Sequence, residues 1–247
     1  MDRNASSAPK KLFVNQRGKD RVNALITFNF NDFLRRKSRE SMMDAAARWG
    51  CDFVEWTDQY LGADGVPLHP WWQRIMLYED VSRGYDRVIT IDGDVLVRSD
   101  CPDIFDLVPH DHFGAISWRQ PGVPPGWAPD KSLDMYSEML GLRRPPTDLC
   151  INCGMIVWTP LAHLPIIRKL QSCGPVVGWK SDGDSDQTIL SILLHHHSVK
   201  TTWLSWEYNA LRAAHRPRKM NAYVYNFCST EEKPYYYYLN KCQWRIQ

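Results

Sequence analysis

Apolar residues gather in short blocks separated by stretches of mixed character. Residues 22–28, VNALITF, form an apolar run suited to a buried strand. After it the pattern changes. Asp32 reads as an N-cap and Gly50 as a stop, with a helix over residues 32–49 between them. Residues 51–56 read as a second strand. Pro70 opens a second helix that reaches about Arg83 and closes at Gly84. Residues 87–91, RVITI, are β-branched or apolar at nearly every position and read as a third strand. Strand, helix, strand, helix, strand predicts an α/β fold with a mostly parallel central sheet flanked by helices.

The second half is less regular. Residues 113–118 and 153–158 read as strands, and WRQPGVPPGWAPD between them reads as a long loop. Thr159 caps, and Pro160 starts, a helix to about Gln171. Residues 186–194 read as a short helix and 222–227 as a late strand. No linker interrupts the pattern, so residues 21–247 are expected to form one domain. Residues 1–20 are polar and basic and are expected to form a flexible tail.

Composition narrows the function classes. The chain has 247 residues, 44% of them hydrophobic, enough for a substantial core. Thirty basic against 28 acidic residues give a formal charge of +2, which offers no global electrostatic case for nucleic acid. Seven cysteines, an odd number in a long chain, argue against a disulfide scaffold. No run approaches the roughly 20 apolar residues of a membrane helix, and the N-terminus lacks an apolar leader segment. A cytoplasmic protein without a transmembrane segment is expected.

The strongest chemical signal is YDRVITIDGDVLVRSD, residues 85–100. A buried strand runs straight into Asp92-Gly93-Asp94. In an open α/β sheet the ligand lies beyond the carboxyl ends of the strands, where these carboxylates fall. A turn at Gly93 lets both reach one hard cation, Mn²⁺ or Mg²⁺, of the kind that shares its ligands with substrate phosphates.

The segment resembles the metal-binding motif of nucleotide-sugar glycosyltransferases with the GT-A (Rossmann-like) fold. It is most similar to family 8, which holds glycogenin and lipopolysaccharide galactosyltransferases. Further segments agree in order: residues 25–31 with the first nucleotide-binding strand and loop, INCG at 151–154, SDQTIL at 185–190, EYNAL at 207–211 and VYNFCSTEEKPY at 224–235. The resemblance implies a nucleotide-binding half over about 21–100 and an irregular acceptor-side half over about 101–247. It implies transfer from a nucleotide-sugar, a UDP-sugar first, to a carbohydrate or glycoconjugate acceptor, with retention at the anomeric carbon. Thr27, Asn29, Asn31, Arg74, Asp92, Gly93 and Lys233 would bind the donor. Asp186, Gln187 and Asn152 would stand at the transferred sugar. Asp92, Asp94 and Asn226 would hold the metal.

One departure matters: Asn226 stands where the family carries a metal-binding histidine, which leaves an all-oxygen site or a substitute ligand such as His215. The motif also admits other readings. A haloacid-dehalogenase-type phosphatase would use Asp92 as nucleophile, although that family places the motif on its first core strand. A non-catalytic nucleotide-sugar-binding relative is the third. Cys150 and Cys153 have the spacing of a redox or zinc pair but no second pair, and fall where a buried strand is expected. Trp118 and Trp127 flank the proline-rich loop, where aromatics can stack on sugars.

Overall fold

The computed structural model describes residues 11–14, 22–30, 36–119, 130–177, 185–211 and 222–227. Its centre is a seven-stranded sheet. The strands are β1 (Lys11–Val14), β2 (Asn23–Phe28), β3 (Asp52–Trp56), β4 (Arg87–Ile91), β6 (Phe113–Ser117), β7 (Ile151–Trp158) and β8 (Thr201–Leu204), in the spatial order β1-β3-β2-β4-β7-β6-β8. β2, β3, β4, β6 and β8 run one way, while β1 and β7 run against their neighbours. A smaller sheet joins β5 (Val95–Val97), β10 (Val224–Asn226) and β9 (Ala210–Leu211), in that order.

The apolar runs become strands because both faces of the sheet are covered. Along β2, Ala24 and Ile26 join one core and Leu25 the other; along β7, Ile156 and Trp158 oppose Met155 and Val157. On the first face pack α2 (Pro70–Val81), α3 (Asp130–Leu140), α4 (Pro160–Val177) and α5 (Ser185–His196), through Trp72, Tyr78, Leu133, Ile167 and Ile189. On the second lie α1 (Arg36–Arg48) and the small sheet, through Met42, Ala45, Val95 and Val224. Gly50 and Gly84 follow α1 and α2 with φ of +64° and +85°, the left-handed backbone that ends a helix without strain in glycine.

Three expectations need correction. Residues 11–14 of the supposed tail form the edge strand β1, in antiparallel register with β3, Lys11 opposite Trp56. The strand expected at 153–158 begins two residues earlier, at Ile151. The helix expected to end near Gln171 continues to Val177, through Gly174 and Pro175. Asp32, expected as the cap of the first helix, lies outside the described residues.

Candidate active site

Strand direction builds the site. β2 and β4 are parallel and end at the same rim, so Asn29 and Asp92 emerge together. β7 is antiparallel to β4 and begins at that rim, bringing Asn152 there. The backbone N–H of Asp92 donates to Gly154 O at 2.9 Å, fixing the turn after β4 against β7. Phe227 N donates to Asp94 O at 3.1 Å, which draws the end of β10, and Asn226 with it, beside the same turn.

A buried cation organises the carboxylates. Arg74, in the first turns of α2, donates through Nη1 to Asp92 Oδ1 and through Nη2 to Asp186 Oδ2, each at 2.5 Å. Nη1 also lies 3.4 Å from Cys153 O. Side-chain exposure is 12% for Arg74, 3% for Asp186 and 31% for Asp92, so the inner pair is nearly dry while Asp92 faces the rim. Burial pulls the guanidinium down, but Asp186 and Asp92 outweigh it and hold Arg74 well above its ordinary value. Burial, with Asp186 nearby, raises Asp92 above the usual carboxylate range against the pull of Arg74 and a hydrogen bond from Asn226. Asp186 opens α5, where a negative charge also suits the helix N-terminus.

Behind the carboxylates lies a group of buried amides. Asn152 Nδ2 donates to Gln187 Oε1 at 3.2 Å, and the Cys153 N–H reaches the same oxygen at 3.3 Å. Asn152 Oδ1 accepts from Gly154 N at 2.9 Å and from Asn209 Nδ2 at 2.6 Å. Asn209 Oδ1 accepts from Asn226 Nδ2 at 3.1 Å. Gly154 makes room for the group: a Cβ there would run into Asn226 Nδ2 and lie 2.7 Å from Asn152 Oδ1.

Beside the end of β2, Asn29 Nδ2 donates to Glu55 Oε1 at 2.7 Å, and Arg39 Nε donates to Glu55 Oε2 at 2.7 Å. Glu55 is buried. Sequence reasoning missed it, although a lone carboxylate in the apolar run CDFVEW was a visible signal. It placed Asn209 in the matching segment EYNAL but gave it no role of its own, because nothing local shows that this asparagine faces two others far away in the chain.

Arg74, Asp92, Asn152, Asp186, Gln187 and Asn226 thus meet as one network. Gly93 and Asp94 are buried in the turn after β4. Thr27 is fully buried inside β2, in register with Glu55 and Ile91, while Asn29 lies beyond the strand end. Asn31, Lys233, His215 and Trp127 lie outside the described residues. Trp118 is partly buried against the helical core. Cys150 and Cys153 are buried thiols, and burial pushes the Cys153 thiol well up, away from the thiolate that zinc or redox chemistry requires.

Among the described residues no group of three or more His, Cys, Asp or Glu side chains is arranged around a metal position. Asp92 and Asp94 provide two carboxylates. That set fits a hard cation that takes one or two carboxylates and completes its sphere with substrate phosphate and water.

Sequence comparison finds no matching family model and no matching curated relative. Solved structures do match. A glycosyltransferase involved in glycosylating the major capsid of PBCV-1 aligns at 12% identity and a TM-score of 0.61, over 88% of this chain and 98% of that one. The fold is the GT-A fold. The galactosyltransferase LgtC, solved with donor and acceptor sugar analogues, aligns at 12% identity and a TM-score of 0.52, over 83% of this chain and 87% of its own. The bifunctional glycosyltransferase WbbM aligns at 16% identity and a TM-score of 0.54, over 88% of this chain and 47% of its own length. In the GT-A fold of this chain the polar network described above occupies the strand-end rim. No helix among the described residues is long and apolar enough to cross a membrane.

Proposed function

We propose that this chain is a glycosyltransferase that moves a sugar from a nucleotide-sugar donor, a UDP-sugar first among the candidates, to a carbohydrate or glycoconjugate acceptor. The observation that supports this most directly is the meeting of Arg74, Asp92, Asn152, Asp186 and Gln187 at the strand-end rim of a GT-A fold. The nucleoside would lie by Asn29 and Glu55, at the ends of β2 and β3, and the diphosphate by Asp92 and Asp94. A divalent cation held by those two carboxylates would supply Lewis-acid stabilisation of the departing nucleoside diphosphate.

The protein groups divide the remaining work. Arg74 holds Asp92 and Asp186 in fixed positions and offsets their mutual repulsion. Asn152 and Gln187 supply neutral donors and acceptors, suited to hydroxyl groups whose directions distinguish one sugar from another. Asp186 is buried and bound to Arg74, which suits a positioning role better than attack on the sugar. A retaining transfer would then proceed without a nucleophile at that residue.

Calorimetry with UDP and GDP, each with Mn²⁺ or Mg²⁺, followed by a screen of nucleotide-sugar hydrolysis, tests the proposal. UDP should bind in a cation-dependent way, and Asp94→Asn should weaken that binding about tenfold or more. Tighter binding of GDP would overturn the choice of base. No nucleotide binding with either cation would sink the proposal, and a trapped aspartyl-phosphate on Asp92 would assign the site to phosphatase chemistry.

A further inference from the structure

Away from the rim, the edge of the central sheet carries a second concave feature. α5 packs over β7, which lies two strands in from the edge strand β8. Along β8 successive side chains take opposite faces. Leu204 packs into the second core, so Thr201 and Trp203 stand on the side of α5. A cleft of about 320 Å³ opens there. Thr201 and Trp203 line it together with Leu194 and His195 at the C-terminal end of α5, Ser198 in the turn after it, and Arg143 beyond α3. Asp186 and His195 stand near opposite ends of α5, and at 1.5 Å per residue they are about 13 Å apart along the helix.

The lining has one electrostatic sign. Among the described residues it includes a guanidinium and an imidazole but no carboxylate. Arg144 is held by Asp130 and Asp134, whereas its neighbour Arg143 is exposed and makes no ion pair among the described residues. Burial, with Arg143 and His196 nearby, holds His195 below its ordinary value, so at neutral pH its ring offers one donor and one acceptor. The Nε2 atom of that ring is buried without a hydrogen-bond partner, an unusual condition for a polar atom. Trp203 is 40% exposed, which leaves apolar indole surface uncovered. Ser198 has φ of +51°, while Gly50, Gly65, Gly84 and Gly141 take the other left-handed positions among the described residues. A hydroxyl is thus kept at the cleft where glycine would sit without strain.

These groups suit one class of ligand. A sugar ring has an apolar C–H face that an indole can cover, and an edge of hydroxyls that a neutral imidazole and the Ser198 and Thr201 hydroxyls can meet. An unpaired guanidinium in a lining without carboxylates selects an anion. The volume lies at the lower end of the range of about 300–1,000 Å³ for small-ligand sites, room for a single ring and not for a nucleotide-sugar. We propose that this cleft is a second carbohydrate site, which binds a sugar carrying one negative group, as a uronic acid or a sugar phosphate does. It would hold an outer unit of an acidic acceptor away from the reacting centre. The choice of a sugar rests on the sugar-transfer reading; the choice of an anion rests on the lining alone.

The test is an NMR titration of the ¹⁵N-labelled full chain with glucuronic acid, glucose-6-phosphate, glucose and inorganic phosphate. The indole N–H signal of Trp203, assigned by its loss in Trp203→Phe, is followed. At least one of the two acidic sugars should move it saturably, about tenfold or more tighter than glucose or phosphate, and the tighter of the two identifies the charged group as carboxylate or phosphate. Arg143→Gln should bring that affinity down to the level of glucose, and Trp203→Ala should lower it about fivefold to tenfold. Both side chains are exposed, so the fold should survive either change. A Trp203 signal unmoved by both acidic sugars would overturn the proposal. So would equal affinity for glucose, which removes the anion, equal affinity for phosphate, which removes the sugar, or a shift produced by UDP instead. Calorimetry should show UDP binding to Arg143→Gln within about twofold of wild type, because the cleft is separate from the rim. If wild-type protein binds no UDP, the sugar-transfer reading fails, and the titration still decides the cleft.

Discussion

Arg74→Met replaces the buried guanidinium by an apolar side chain of similar length and leaves two carboxylates without their cation. The two pairs are not equal. Asp92 is 31% exposed, and water screens much of its loss; a pair of that kind contributes about 0–1 kcal/mol. Asp186 is 3% exposed and has its Oδ2 bonded to Arg74. Removing one partner of a buried pair costs about 3–5 kcal/mol, because the remaining charge is stranded. The stability loss should therefore be set by Asp186, at about 3–5 kcal/mol. At roughly 2–4 °C per kcal/mol for a domain of this size, Tm should fall by about 6–20 °C. Calorimetric scans and urea melts of the single and double variants provide the assay. Asp186→Asn, added to Arg74→Met, should recover a large part of the loss by removing the stranded charge. A Tm for Arg74→Met within about 2 °C of wild type would refute the reasoning. So would a double variant no more stable than Arg74→Met alone.

Two further outcomes follow from single residues. Gly154→Ala and Gly114→Ala both force a Cβ into occupied space, against the amides in one case and against Val108 and Val157 in the other, and each should cost about 1–3 kcal/mol in urea unfolding. Only Gly154→Ala should also depress donor hydrolysis at saturating substrate; equal catalytic effects would argue that the amide arrangement is irrelevant to turnover. His163 is buried, and burial pushes its ring from 6.5 down to about 4, with Nδ1 accepting from Thr159 N at 2.9 Å. Between those pH values the unfolded chain binds the extra proton and the folded chain does not. Stability contributed by neutral His163 is therefore lost as pH falls from about 6.5 to 4, by up to about 3 kcal/mol. His163→Asn should flatten that slope in urea midpoints measured at several pH values, and an unchanged slope would show that other groups produce it.

The α/β alternation was legible because each early element carries its own local signals: RVITI for a buried strand, Pro70 and Gly84 as the limits of a helix. The rim residues were legible for a different reason. Asp92, Asn152, Asp186 and Gln187 sit in short motifs that resemble a known order, and the structure brings them together with Arg74. What escaped was long-range. β1 is a strand only because the edge of β3 accepts it; residues 11–14 alone carry too little apolar patterning to announce themselves. Glu55 is charged inside a strand, which local patterning treats as an exception, and its reason appears only when Asn29 and Arg39 arrive from other elements. Asn209 lies in a segment with no periodicity of its own, and its partners are 57 residues earlier and 17 residues later in the chain.

Head-to-tail amides add their dipoles. Each carries about 3.5 D, like a peptide unit, and in an α-helix such units sum to a positive N-terminus that attracts anions. The run from Asn226 through Asn209 and Asn152 to Gln187 does something comparable with side chains, its N–H groups all pointing toward Gln187, which makes that the positive end. A helix builds that field from neighbours in sequence, so it exists as soon as the helix does. Here the dipoles are contributed by β7, β10, the N-terminus of α5 and the segment before β9. The field comes into being only when elements separated by much of the chain have docked, so in a folding molecule this electrostatic feature of the rim should be among the last to appear.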